Sequence, residues 1–412
     1  MTVSLDWLAR INVTINTTVF QAPTFQNCMI MGVFPTADRP DGTGDYVTNW
    51  GTNLYYTYSN YTDIATDFTV NYDAAIAATQ WAQAFKYQIL IQQAFEFFSQ
   101  EPTPQNLIVA CIDNTAGGSI NYVTAFNNII TQNNDFYAFT IADQITATQI
   151  NTATTGISAA LAGLTSNKNL KVCFLDTADM NTGSGSFLFT VTDGGIGNPR
   201  MMLFAHTSNP QTAVPSAAVS APIVCLGAAN MGAYFTNLFT STVGLKTISG
   251  QTLKQTASDS IIDDAKLNSL IAVNGNVYPR LGISTVGYMQ YGYMASSSST
   301  ALLYLDQVVG ADWIKLNVQA DLVSYLLSQQ PTGGVPYSDV GIQNLNTVFK
   351  STLQRAVGFG IIQPFSNANV TAVPYALVSN DDKTDRIYRG LAANLTYLSR
   401  IQRLEVGITL GL

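Results

Sequence analysis

The two ends of this 412-residue chain show the same alternation of apolar and polar residues. A period of two is typical of a β-strand that has one apolar face. The sequence therefore predicts a β-arm at each end, over residues 1–20 and 386–412. The apolar positions are Ile11, Val13, Ile15 and Val19 in the N-terminal arm and Leu404, Val406, Ile408 and Leu410 in the C-terminal arm.

Short apolar runs alternate with helical stretches through the middle of the chain. Runs within residues 107–206 indicate buried strands, and a further strand is expected over residues 27–34. Crossover helices are predicted over residues 122–131, 146–161 and 217–235. Alternation of this kind is typical of a mostly parallel sheet covered by helices, so the central fold is predicted to be α/β.

The rest of the chain is expected to be α+β. Residues 74–100 indicate one long helix, and residues 246–305 indicate irregular strands and loops. Two amphipathic helices are predicted over about 312–329 and 338–358, with Ser338 capping the second. The expected domain plan is a β-arm (1–20), an N-terminal α+β region (21–106), a central α/β domain (107–245), a C-terminal α+β domain (246–385) and a second β-arm (386–412).

Charge is scarce and unevenly distributed. Only 11% of the residues are charged, which weakens the repulsion that keeps copies of a protein apart. Residues 1–160 carry twelve acidic and three basic residues, a net charge of −9. We expect this acidic half to favour contacts with a basic segment of another copy, and a chain this acidic is not expected to bind nucleic acid directly. The basic segment contains Arg386, Arg389, Arg400 and Arg403.

Cysteine spacing and hydropathy narrow the class of protein further. The four cysteines are far apart and form no CxxC pair, so we expect buried free thiols rather than a metal or redox site. The N-terminus lacks the basic and apolar regions of a signal peptide, and no apolar run is long enough to span a membrane. The sequence therefore predicts neither secretion through a signal peptide nor membrane binding. The cysteines are Cys28, Cys111, Cys173 and Cys225.

The candidate chemistry lies at the predicted carboxyl ends of the central strands, where open α/β sheets bind ligands. Asp113, Asp143, Asp176 and the single histidine, His206, occupy these positions. One hypothesis is an α/β hydrolase or a nucleotide- or metal-binding enzyme centred on Asp113, Asp176 and His206. The other is that these residues cap turns and helices. No GxSxG, P-loop or GxGxxG pattern supports the first, so no catalytic residue, metal or cofactor is expected.

Six short segments carry a resemblance to a known family. The segment AFEFFSQEPTPQNLIV at residues 94–109 resembles the helix–Pro-x-Pro–strand junction of contractile tail sheath proteins from contractile-tailed phages. The other segments are similar to further parts of that family and follow its order along the chain. They lie at residues 61–68, 276–278 with 305–314, 335–342 and 358–362. The run at residues 394–398 departs from the small residues more usual in the family.

The resemblance implies a structural, non-enzymatic subunit that forms stacked hexameric rings around a tail tube and contracts to drive the tube through the host envelope. Its arms would pair with neighbouring copies. The folded domains would rotate about flexible arm linkers at residues 21–23 and 379–385. Expected partners are the tube, the baseplate and tail-terminator or neck proteins, in a virion assembled in the host cytoplasm. Alternatives are another virion tail or baseplate protein, or the sheath of a tail-like injection particle. The tube is expected to face Gln343, Asn346, Lys350 and Gln354.

Overall fold

The structure of the protein is a computed structural model that falls into two compact units. The first unit ends at Leu305 and the second contains the residues from Asp306 onward. This division is coarser than the five segments expected from the sequence, whose boundaries stay a prediction. The residues that the structure describes are 25–115, 119–166, 169–183, 186–191, 198–206, 225–236, 264–278, 292–295 and 304–398.

A six-stranded sheet is the centre of the first unit. Its order is β2-β3-β1-β4-β5-β6, and every pairing is parallel except that of β2 with β3. Gly32 in β1 is paired with both Cys111 and Ala142, so β1 lies inside the sheet. The predicted mostly parallel sheet is confirmed. The strands are β1 (Cys28–Phe34), β2 (Tyr55–Tyr58), β3 (Leu107–Asp113), β4 (Ala138–Ala142), β5 (Val172–Thr177) and β6 (Met201–Ala205).

Helices cover both faces of this sheet. On one face, α3 and α5 bury Phe126, Ile129 and Leu161 in a core with β1, β3 and β4. On the other face, α2 contacts β1 and β4, and α7 contacts β5 and β6. Both faces of β1 and of β3 to β6 are therefore apolar, which explains the continuous apolar runs, whereas the edge strand β2 is only partly buried. The helices are α1 (Tyr61–Ala77), α2 (Trp81–Phe98), α3 (Tyr122–Gln132), α4 (Ala147–Asn151), α5 (Ile157–Ser166), α6 (Phe187–Val191), α7 (Leu226–Thr236) and α8 (Asp264–Ala272).

Several predicted helices have different bounds. The single helix expected over 74–100 is two helices, because the chain turns at residues 78–80, where Thr79 has a φ of 56°. The first of them begins early, after Asn60, whose side chain accepts a hydrogen bond from the amide of Asp63. The helix expected over 146–161 is divided into α4 and α5. The segment 246–305 was expected to lack helices and contains α8.

The second unit consists of two long helices followed by a small antiparallel sheet. Helix α9 (Leu305–Gln329) begins earlier than expected, and α10 (Asp339–Gly358) begins after Ser338, as predicted. Strands β7 (Val370–Ala372) and β8 (Leu391–Ala393) pair with each other. The linker expected at residues 379–385 is instead mostly the short helix α11 (Asn380–Thr384), because Ser379 caps it by accepting a hydrogen bond from the amide of Asp382.

The structure also tests the expectations for cysteine and for membrane helices. All four cysteines are buried free thiols, as predicted. Burial raises the pKa of each of these thiols, which keeps them protonated and unreactive. Among the helices in the described ranges, none has the length and apolar character needed to cross a bilayer.

Candidate assembly surface

The aspartates at the carboxyl edge of the sheet have structural partners. Asp113 is exposed, and its Oδ1 accepts hydrogen bonds from the amides of Thr36 (3.2 Å) and Thr115 (3.0 Å). The hydrogen bond from the Thr115 hydroxyl is the main cause that lowers the pKa of Asp113. This carboxylate therefore holds two loops together.

Asp143 and Asp176 each contact a helix that packs on the sheet. Asp143 Oδ1 lies 3.5 Å from Lys86 Nζ, although burial raises the pKa of this carboxyl group. Asp176 Oδ1 accepts a hydrogen bond of 2.8 Å from the amide of Gly227, at the start of α7. Burial raises the pKa of Asp176 to about 8. These two residues fix helices to the edge of the sheet.

The structure does not gather these strand ends into a metal centre. His206 is buried, and its amide donates a 3.0 Å hydrogen bond to the carbonyl of Thr177. Within the described ranges, no group of three or more His, Cys, Asp or Glu side chains is arranged to hold a metal ion. The capping interpretation accounts for the hydrogen bonds of Asp113 and Asp176, and the described residues give the enzyme interpretation no assembled site.

The polar face of α10 differs in one position from the expected one. Gln343 and Gln354 are exposed, and Lys350 Nζ lies 3.0 Å from Asn367 Oδ1. Asn346 is only 7% exposed, so its expected place on the exposed face was wrong. An α-helix turns by about 100° per residue, so position 346 lies within about 40° of Ile342 around the helix axis, on the buried side of the helix.

Residues 363–398 form an open surface on the second unit. Between Gln363 and Leu398, Val370 is the one buried residue. The antiparallel β7–β8 pairing continues beyond the two strands. The Gln363 amide donates a hydrogen bond to the carbonyl of Thr396, and the Leu398 amide donates one to the carbonyl of Ile361. The described sheet has two strands, each paired on one side only, so its outer edges are open in this part of the chain.

The predicted arginines fall partly within this surface. Arg389 forms an ion pair with Asp382 in α11, and Arg386 is exposed with a φ of 56°. Arg400 and Arg403 lie outside the described residues. So do all eight apolar arm positions, four before residue 20 and four after residue 403.

The apolar side chains on this surface were not expected from the sequence. Val373, Tyr375, Leu377 and Ile387 are all more than a third exposed, and so is Val340 at the start of α10. Their exposure follows from the absence of a core beneath residues 363–398, which no local sequence pattern reveals. The short run Pro-Tyr-Ala-Leu-Val at residues 374–378, between polar segments, is the feature that could have drawn attention to them.

Comparison with known proteins gives matches among solved structures only. No protein family model and no curated protein matches the sequence. A chain in the baseplate structure of the anti-feeding prophage (AFP) covers 97% of this chain and 95% of its own length, at a TM-score of 0.58 and 10% identity. The contracted helical sheath of AFP matches at a TM-score of 0.52 and 9% identity, covering 97% and 94%.

A third match comes from another contractile assembly. The contracted sheath complex of the extracellular contractile injection system PVC has a TM-score of 0.56 and 9% identity, and the match covers 96% of this chain and 93% of that one. These likenesses extend over nearly the whole chain. The class of fold is therefore that of contractile sheath proteins, and the resemblance stated from the sequence is confirmed at the level of the fold. At identities of 9–10%, the match establishes the fold alone.

Proposed function

We propose that this protein is a structural sheath subunit that polymerises into stacked hexameric rings around a tail tube. The observation that carries the proposal is the likeness to contractile sheath structures over nearly the entire chain. The open surface at residues 363–398 supports it, because a segment with one buried residue gains little from its own unit. In this role the protein has no catalytic residue, metal or cofactor.

The β7–β8 sheet is the acceptor for the arms in this proposal. A strand edge exposes unpaired amide and carbonyl groups, which an added strand from another chain can satisfy. The arm residues Leu404, Val406, Ile408 and Leu410 alternate as such a strand requires. Burying four side chains of this size contributes roughly 6 to 12 kcal/mol before the cost of ordering the arm. Neighbouring copies would thus stay linked through their arms.

Contraction would use this linkage. We propose that the extended sheath is metastable and that a change at the baseplate lets the subunits repack into a wider lattice, which drives the tube through the host envelope. In this proposal the two compact units repack as rigid bodies while the arms hold. Arg386, Arg389, Arg400 and Arg403 would contact the acidic N-terminal half of a neighbour.

Other parts of the assembly would contact defined surfaces. The residues of α10 proposed to face the tube are the exposed Gln343 and Gln354 and the half-buried Lys350, without the buried Asn346. Baseplate and tail-terminator or neck proteins would bind the ends of the polymer, in a particle assembled in the host cytoplasm. Because one of the similar solved structures belongs to an extracellular contractile injection system, a tail-like injection particle is the second candidate for the particle, with the same role for the subunit.

Negative-stain microscopy of the overexpressed protein tests the proposal. We expect long tubes or polysheaths from the full chain. Deleting residues 1–20 should abolish them, because a neighbour loses its added strand, while the far-ultraviolet circular dichroism of the truncated protein stays near that of the parent.

A matched control separates loss of the strand from loss of chain length. Replacing Ile11, Val13 and Ile15 together by Asp keeps the length but removes the apolar face, and it should abolish tubes as well. Replacing Asn12, Thr14 and Asn16 by Ser leaves the apolar face and should permit them. A full chain that stays monomeric at high concentration, or tubes formed equally by the truncated protein, would contradict the proposed function.

A further inference from the structure

Exposed apolar side chains are concentrated in the second unit. Ten large apolar side chains are strongly exposed in the described residues, and eight of them lie between Asp306 and Leu398. A monomeric protein seldom leaves such side chains grouped in one region unless another molecule covers them. Their distribution therefore indicates an interaction surface on this unit.

Hydrogen bonds and a ring contact bring three segments of this unit together, and these segments carry five of the exposed side chains beside the half-buried Tyr337. The ring centroids of Tyr337 and Tyr375 lie 5.8 Å apart. The Tyr337 hydroxyl donates a 2.8 Å hydrogen bond to the carbonyl of Ile387. Asp339, which precedes Val340, accepts a 2.8 Å hydrogen bond from the Tyr375 amide. We define the Tyr337 patch as Tyr337, Val340, Val373, Tyr375, Leu377 and Ile387.

The patch is built as an ordered surface. Tyr375–Leu377 form a single 3-10 turn, and Leu377 at its end is 76% exposed. The Tyr388 hydroxyl donates a 2.8 Å hydrogen bond to the carbonyl of Val373, which ties the segment before the turn to the segment after α11. A surface already fixed by such bonds loses little conformational entropy when a partner covers it.

Charges around the patch favour a protein partner over a lipid surface. Lys383 Nζ lies 4.5 Å from the centroid of the Tyr375 ring, and Arg389 is paired with Asp382, so both cations already have partners. Asp339, Asp381 and Asp385 add exposed negative charge in the same segments. An anionic membrane surface would repel these carboxylates, whereas a protein surface can cover the apolar patch and leave charges at its rim in contact with water.

We propose that the Tyr337 patch is buried against a second copy of this chain in the assembled sheath. This inference rests on the proposed function, because it takes the β7–β8 edges as the site where neighbouring copies pair. Val373 directly follows β7, and its amide donates a 3.0 Å hydrogen bond to Gly390, directly before β8. A neighbour held at that small sheet is thereby brought against the patch.

Cysteine labelling measures the burial directly. The four native thiols are buried, so Leu377→Cys introduces one accessible thiol for a maleimide reagent. Val47→Cys is the matched control: Val47 is 54% exposed and lies in the first unit. On assembly, we expect the labelling rate at position 377 to fall at least about tenfold more than the rate at position 47. Equal slowing at the two positions would overturn the proposal.

A charge substitution provides the second test. Leu377→Asp should prevent sedimentable polymer at concentrations where the parent and Val47→Asp polymerise, with an unchanged melting temperature of the monomer because position 377 is solvated there. Normal polymerisation of Leu377→Asp would overturn the patch proposal alone, whereas a parent that never polymerises would defeat the proposed function itself. Position 377 labelled in sheath-only tubes but protected in whole particles would assign the patch to a different protein and overturn the proposal.

Discussion

Two acids in the first unit are held in an environment that disfavours their charged forms. Glu96 is 1% exposed, and its Oε1 accepts hydrogen bonds from Gln92 Nε2 (2.8 Å) and from the amide of Cys225 (3.3 Å). Glu96 Oε2 and Asp176 Oδ2 are buried and have no hydrogen-bond partner among the residues that the structure describes. Burial is the main cause that raises the pKa of Glu96 to about 7 and that of Asp176 to about 8. Both residues stabilise the start of α7 best when a proton neutralises them.

This arrangement predicts a stability that falls as the pH rises. Between the unfolded pKa values near 4 and the raised folded values, the native state binds more protons than the unfolded state, so the free energy of unfolding decreases until the pH exceeds about 8. Asp176→Asn keeps the shape and removes one titration. Denaturant unfolding of the unassembled protein should show a smaller loss of stability between pH 5 and pH 9 for this variant than for the parent.

The control for this experiment is Asp113→Asn. The pKa of Asp113 is lowered, so its contribution to stability is present above its unfolded pKa and is lost only on acidification. Its pH dependence between 5 and 9 should therefore match that of the parent. An unchanged pH dependence in Asp176→Asn would show that this carboxyl group does not titrate in the native protein within that range.

At the scale of elements, the contact between α2 and α7 depends on a residue without a side chain. A Cβ on Gly232 in α7 would lie 2.6 Å from the carbonyl oxygen of Phe97 in α2. A backbone atom cannot move aside as a flexible side chain can, so Gly232→Ala should force the helices apart and destabilise the protein by about 1–3 kcal/mol. Thermal unfolding of the unassembled variant measures this loss.

Gly163 provides the opposite case in a helix of the same unit. Among the described residues, a Cβ there would meet no heavy atom within 4 Å, so Gly163→Ala in α5 should stabilise the protein by up to about 1 kcal/mol through helix propensity. The pair of variants thus differs in sign although the substitution is the same. A melting temperature raised by both would show that α2 and α7 are less closely packed than the structure has them.

The elements that the sequence predicted well are those that packing determines. Strands β3 to β6 are continuous apolar runs because helices cover both faces of the sheet, and such runs are visible in one sequence. The turn at Thr79 and the helix after Ser379 depend instead on single backbone conformations and caps within otherwise ordinary polar segments. Asn346 was misplaced for a different reason, since its polarity was given more weight than its angular position beside Ile342.

For the molecule as a whole, the sequence indicated the sheath fold better than the surfaces that serve it. Fold follows from patterns spread over the whole chain, whereas the Tyr337 patch is formed by residues from separate segments that meet only after α10, the 3-10 turn and α11 are in place. Each of its apolar residues looks like an isolated surface residue in the sequence, which is common in any protein. The structure shows that most of these residues lie together on a segment in which only Val370 is buried, and this grouping is what indicates an interaction surface.

The same segment yields a prediction for the assembled state, measured by amide hydrogen exchange. Because only Val370 is buried between Gln363 and Leu398, amides in this segment should exchange rapidly in unassembled protein, as local opening exposes little apolar surface. In the proposed polymers a neighbouring copy would add burial and strand pairing, so exchange should slow at least about tenfold there. Amides of β1 and β4, inside the sheet of the first unit, serve as the control and should exchange equally slowly in both states. Protection of residues 363–398 that is the same in monomer and polymer would place their stabilising contacts within one molecule, contrary to a surface completed by assembly.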